Sequence, residues 1–222
     1  MTTEIPLLDV QGITYAMQGR TLLAPVSLQL HAGDFLLLTG PSGSGKSTLL
    51  KILASLLAPT AGVIRFENRD IGQCKPEHYR QHVSYCFQTP QLFGETVYDN
   101  LALPWLIRQQ KPVREKLIAS LESVHLNADM LDKPVEQLSG GEKQRVGVLR
   151  NLQFLPQVLL LDEVTSALDE ENKTAIQAMI RQRVDQQRLA VVWISHDVNE
   201  IQHAEKVLRL ETPENGAVHE PA

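Results

Sequence analysis

Cysteine is nearly absent: Cys74 and Cys86 are the only two among 222 residues. Two thiols cannot build the stapled framework of a small secreted domain, and their spacing matches no zinc signature. They read as free thiols of a reducing compartment. Basic residues are also in short supply, with 21 Lys and Arg against 26 Asp and Glu and a formal net charge of −5. That balance argues against nucleic acid as the main partner, because phosphate neutralisation draws on a basic surplus. No apolar run approaches the ~18 residues that a membrane-spanning helix requires. The start, MTTEIPLLDV, lacks the charged lead and long apolar core of a secretory signal. Neither a solenoid-length period nor a low-complexity tract occurs. The expectation is a soluble chain whose membrane role, if any, runs through a partner.

What the chain does contain is ordinary globular material, 43% hydrophobic and 21% charged, enough for one sizeable core. LLDVQGITYA and the apolar run at 35–38 read as short strands, with Ala32-Gly33-Asp34 as a turn. Residues 47–57 repeat apolar side chains at helical spacing and stop before Pro59, and VIRFEN reads as a strand. Between 89 and 133 the character changes. TVYDNLALPWLIRQQ and REKLIASLESVHL look helical, with Pro104, Pro112 and Pro134 marking boundaries. VLLLDE, NKTAIQAMIRQRVDQQ and LAVVWISHD then restore strand–helix alternation, which predicts an α/β fold with a mostly parallel sheet covered by helices. The final ETPENGAVHEPA reads as an exposed tail.

Chemistry enters at Gly40-Pro41-Ser42-Gly43-Ser44-Gly45-Lys46-Ser47, followed by Thr48, a full match to G-x-x-x-x-G-K-[ST] between a strand and a helix. Glycines there let backbone N–H groups converge on phosphate, and the helix N-terminus adds partial positive charge. Lys46 would bridge β- and γ-phosphates, and Ser47 would offer its hydroxyl to Mg²⁺. Val158-Leu-Leu-Leu-Asp162-Glu163 is the expected companion. At the carboxyl end of a buried strand, Asp162 can hold Mg²⁺ through water while Glu163 orients or deprotonates the attacking water.

A second glycine pair, in LSGGEKQR at 138–145, needs another explanation. It resembles the signature motif of the ATP-binding cassette (ABC) ATPases, and the resemblance extends along nearly the whole chain. It implies a P-loop NTPase (RecA-like) core at 1–88 and 134–222, an N-terminal antiparallel β region, and a helical insertion at about 89–133. It also implies a homodimer closing head to tail on two ATP molecules. Ser139, Gly140 and Gly141 would then grip the γ-phosphate bound by the partner copy. By the same resemblance Tyr15 stacks on adenine, Gln88 touches Mg²⁺ or water, Ser166 to Asp169 form the loop crossing the dimer interface, and His196 contacts the γ-phosphate. Two departures stand out: Val164 fills a position that is usually proline, and Leu149-Arg150-Asn151 replaces an alanine-flanked arginine.

The task implied is that of an ATPase subunit of a bacterial transporter, using ATP and Mg²⁺ and bound to an integral membrane permease at the cytoplasmic face of the inner membrane. Its permease contact would be a groove beside the helical insertion, with Phe93, Tyr98, Trp105 and Leu106 as candidates. QTPQLFGETVYDNLALPW and RNLQFLPQVLLLDEVTSALDE resemble a bacterial branch of two-component iron exporters. Another exporter, a lipoprotein-release cassette, or a soluble ABC ATPase acting on DNA or ribosomes remain alternatives. Compactness and the lack of a coiled-coil arm favour transport.

Overall fold

The computed structural model describes residues 5–195 and 205–213. His196 lies outside them. Two sheets form the frame. In the first, β1 (Leu8–Met17), β2 (Arg20–Leu30), β4 (Ala61–Phe66) and β5 (Arg69–Asp70) run antiparallel in the order β2-β1-β4-β5. The hairpin β1–β2 closes through Gln18 and Gly19, both at positive φ, which matches the twist of the flanking strands. These strands are ten and eleven residues long rather than short. Bulges along β1 break the alternation that sequence periodicity depends on.

The second sheet is parallel: β6 (Val83–Cys86), β7 (Val158–Asp162), β8 (Ala190–Ile194), β3 (Phe35–Thr39) and β9 (Lys206–Arg209), in that order. Every residue of β7 and β8 is buried, as continuous apolar runs require when both faces are covered. Parity sorts the side chains. Leu37, Leu159, Leu161, Val191 and Trp193 enter one core, whereas Leu36, Leu38, Leu160, Val192 and Ile194 enter the other.

The first core is roofed by α3 (Val97–Ile107), α4 (Arg114–Glu122), α5 (Gly140–Leu152) and α6 (Glu170–Gln187). The second is shared by α1 (Lys46–Leu53), α2 (Pro76–His82) and the antiparallel sheet. Helix α1 ends four residues before the expected Leu57, because Ser55 turns to a φ of 56°. Pro104 lies inside α3 instead of bounding it. Only one bond, to the Asn100 carbonyl, is forfeited that near the helix end. Thr96 and Asp99 cap the other end reciprocally, and Val97, Leu101 and Trp105 are buried. Strands β3, β6 and β7 all exit at one edge of the parallel sheet, and the motifs gather there.

Candidate functional site

The loop from Gly40 to Thr48 joins β3 to α1, and its glycines are required by space as well as by conformation. Gly40 has a φ of 141°, and a Cβ there would sit 2.4 Å from the Leu210 carbonyl oxygen. At Gly45, φ 90°, a Cβ would lie 2.6 Å from the Leu22 oxygen. Gly45 also occupies the N-cap of α1 with no side-chain cap, which leaves the first amides of the helix available to an anion. Lys46 Nζ donates to the Gly40 and Pro41 carbonyls at 2.8 and 3.0 Å, so its charge is held over the loop. Ser44 Oγ is buried without a hydrogen-bond partner, an uncompensated polar atom that a phosphate oxygen suits. Pro41, Ser42 and Gly43 are exposed at the loop's rim.

The two acids stand beside this loop. Ser47 Oγ donates to Asp162 Oδ1 at 3.0 Å, and the Tyr85 hydroxyl donates to Asp162 Oδ2 at 2.6 Å. A hydroxyl and a carboxylate are the hard oxygen donors that Mg²⁺ takes, with the remainder usually supplied by water and substrate phosphates. The described residues contain no group of three or more His, Cys, Asp or Glu that could hold a metal ion. Gln88 Nε2 donates to Glu163 Oε2 at 2.8 Å. Glu163 takes a φ of 50°, an unfavourable backbone for a non-glycine residue, and its carbonyl accepts from both the amide and hydroxyl of Ser166. A cavity of about 280 Å³ beside it is lined by Thr165, Ser166, Lys173, Ile194 and Ser195. Val164, the departure from proline, is fully buried and packs in the first core. Sequence reasoning missed Tyr85. Only its burial, which the fold supplies, signals that its hydroxyl needs a partner. Burial, followed by the bond to Asp162, raises the Tyr85 phenol far above its usual range, so the hydroxyl remains a donor.

The second glycine pair opens α5. Ser139 is its N-cap: the hydroxyl accepts from the Glu142 amide at 3.2 Å, and Glu142 Oε2 accepts from the Ser139 amide at 2.7 Å. The Ser139 N–H is therefore already engaged. The remaining donors are its hydroxyl proton and the amides of Gly140 and Gly141. Burial acts to raise the Glu142 carboxyl, but the Ser139 bonds and Lys133, 3.3 Å away, outweigh it and hold the group below its ordinary value. Among the described residues, no hydrogen bond joins 139–141 to 40–48 of the same chain. Gly141 instead abuts the loop that leads into α6: a Cβ on it would lie 3.1 Å from Leu168, and Asp169 caps α6. Arg145 ties α5 to Asn172 of α6 and to the carbonyl of Val124.

The sequence pattern of the ABC transporter family matches residues 23–166. Over 220 residues the chain is 51% identical to the "Probable iron export ATP-binding protein FetA" of Escherichia coli (strain K12), covering 99% of this chain and 97% of that one. The chain belongs to the ABC transporter family. It is also 35% identical over 204 residues to an energy-coupling factor transporter ATP-binding protein of Mycoplasma pneumoniae, covering 89% of this chain and 73% of that protein. An ATP-binding cassette solved as a dimer in a post-hydrolysis state, bound to ADP and Pi, superposes with a TM-score of 0.84 at 27% identity, over 92% of this chain and 94% of that one.

In this ABC transporter chain, other expected residues separate by burial. Tyr15 is half-buried on β1 opposite Leu23, whose side chain and backbone border Gly45, so the ring lies on the strand that flanks the glycine loop. Phe93 and Leu106 are more than half exposed, and Tyr98 is partly buried. Trp105 is a correction: it is only 8% exposed, packs on Phe154 and donates from Nε1 to Gln153, so it belongs to the core. Arg150 stacks on Phe93 and donates to the Gln91 carbonyl, while Asn151 accepts from Ser84. The unusual Leu149-Arg150-Asn151 triplet therefore joins α5 to β6 and to the segment after Gln88. Cys74 and Cys86 are free thiols, as expected. No helix among the described residues is long and apolar enough to cross a membrane.

Proposed function

We propose that this chain is the ATP-binding and ATP-hydrolysing subunit of a bacterial iron exporter, acting as a homodimer bound to a separate integral permease at the cytoplasmic face of the inner membrane. Identity of 51% to the FetA protein along nearly its whole length supports the cargo. The dimer reading rests on the signature donors: they are built and capped, yet they share no hydrogen bond with the glycine loop of their own chain.

In this reading residues 40–48 hold the ATP phosphates, with Lys46 exchanging its two loop carbonyls for phosphate oxygens, and Tyr15 stacks on the adenine. Mg²⁺ would be held by Ser47, with Asp162 and Gln88 beside it, and would neutralise charge on the phosphate oxygens. Glu163, with Gln88 at 2.8 Å and His196 on the γ-phosphate, orients water for in-line attack and receives its proton. Ser139, Gly140 and Gly141 close on the partner's γ-phosphate. Residues 1–88 and 134–222 act as the nucleotide-binding core. The insertion at 89–133 faces the permease through Phe93, Tyr98 and Leu106.

Iron flux in vesicles containing this chain and its membrane subunit tests the cargo. ATP-dependent extrusion is expected, and its absence alongside active ATP hydrolysis would remove iron from the reading. Mixed dimers of Ser139→Arg and Lys46→Ala chains test the shared site. One of the two nucleotide sites then carries both lesions and the other neither, so activity should recover relative to either parent. No recovery would mean that each chain works alone.

A further inference from the structure

Asp162 is gripped on both oxygens, and only one of the two partners belongs to the glycine loop. Ser47 donates to Oδ1 at 3.0 Å, whereas Tyr85, on the neighbouring strand β6, donates to Oδ2 at 2.6 Å. Tyr85 is 8% exposed and Asp162 4%, so bulk water does not replace a lost partner. The register explains the reach: Tyr85 pairs with Leu160, which shares a sheet face with Asp162 two residues on. The Tyr85 ring is buttressed edge-on by Phe87 at 4.6 Å. Just beyond, Gln88 grips the adjacent acid, Glu163.

We infer that Tyr85 is a positioning residue for the metal-bearing carboxylate: its hydroxyl fixes the rotation of Asp162 so that Oδ1 is the oxygen turned toward Ser47 and the nucleotide's metal ion. This rests on the assignment of Asp162 made under the proposed function. A free carboxylate torsion is broad and two-fold, and a short O–H···O⁻ bond removes that freedom. Partners that orient metal ligands in this way typically contribute about 10–100-fold in metal affinity.

The test uses the full chain with Tyr85→Phe, which keeps the ring and its edge contact with Phe87 and deletes one oxygen. Fluorescent ATP is titrated in EDTA, and Mn²⁺ binding to the chain in the presence of ADP is followed by its electron paramagnetic resonance signal. Metal-free nucleotide affinity should stay within about twofold, while Mn²⁺ affinity falls about tenfold or more. The Mg²⁺ concentration giving half-maximal hydrolysis should rise by a similar factor, with most of kcat recovered at saturating Mg²⁺. Unchanged Mn²⁺ affinity, or a loss of kcat that added Mg²⁺ does not recover, overturns the inference. Asp162→Asn distinguishes the two levels. If it leaves Mn²⁺ affinity intact, the assignment of Asp162 fails and the role of Tyr85 falls with it; if it abolishes Mn²⁺ binding while Tyr85→Phe has no effect, only the role of Tyr85 fails.

Discussion

Replacing Arg145 by methionine probes how α5 is held against α6 and the end of α4. The guanidinium is 8% exposed and donates to four neutral acceptors: the carbonyls of Val124 at 3.0 Å, His125 at 3.4 Å and Gly141 at 3.4 Å, and the side-chain oxygen of Asn172. The two bonds at 3.4 Å are marginal by distance, which leaves the Val124 carbonyl and the Asn172 oxygen as the main partners. A bond from a charged donor contributes roughly 1.5–3 kcal/mol, and each orphaned buried acceptor adds a desolvation penalty. Methionine preserves most of the stem's packing, and release of the buried charge offsets part of the loss. The expected net cost is about 2–4 kcal/mol, a fall in Tm of roughly 6–12 °C for a chain of this size. Urea unfolding measures it, with an unchanged slope confirming that the same surface is exposed. Arg145→Lys should recover less than half, because one ammonium cannot reach acceptors on three elements. A loss below about 0.5 kcal/mol for Arg145→Met would refute the claim that these bonds hold α5, α6 and the end of α4 together.

Glu163→Gln keeps the partner of Gln88 but removes the proton acceptor; turnover should fall by about 10²–10⁴-fold while ATP binding persists and the closed dimer accumulates on size-exclusion chromatography. Retained turnover would remove Glu163 from catalysis. Glu142 has a folded titration range below its ordinary one, so its contribution to stability is fully present above about pH 4.3, the unfolded glutamate value, and is lost as pH falls through the folded value. The stability gap between the wild-type chain and Glu142→Gln should therefore be constant near neutrality and close in acid. A gap that widens below pH 4 contradicts the capping assignment. Gly45→Ala should abolish nucleotide binding or destabilise the chain by about 2–4 kcal/mol, because its Cβ would meet the Leu22 oxygen at 2.6 Å with φ already at 90°. Unaltered binding and stability would contradict that reading of the loop.

The glycine loop and the acids at the end of β7, Asp162 and Glu163, were legible because their chemistry is local: donors, glycines and a buried apolar strand follow one another along the chain. The α/β alternation was legible for a similar reason, since β7 and β8 are unbroken apolar runs. What escaped depends on distant partners. Tyr85 finds Asp162 across 77 positions, and nothing beside it in sequence marks that pairing. Trp105 carries the same apolar signal whether it packs inward on Phe154 or faces a partner, and only the fold decides which. Pro104 reads as a stop, yet tertiary packing of α3 overrides the loss of one bond near its end. The bulges of β1 hide two long strands from a period-two reading.

The run from Glu163 to Asp169 has a consequence for how two ATP molecules communicate. At one end, Glu163 in the proposed site serves the nucleotide of its own chain; five residues on, Leu168 abuts Gly141, which in the proposed dimer serves the nucleotide of the other. Any shift that Glu163 transmits through Ser166 therefore has a short route to the opposite site, five residues of chain and one side-chain contact. The two hydrolysis events should not be statistically independent.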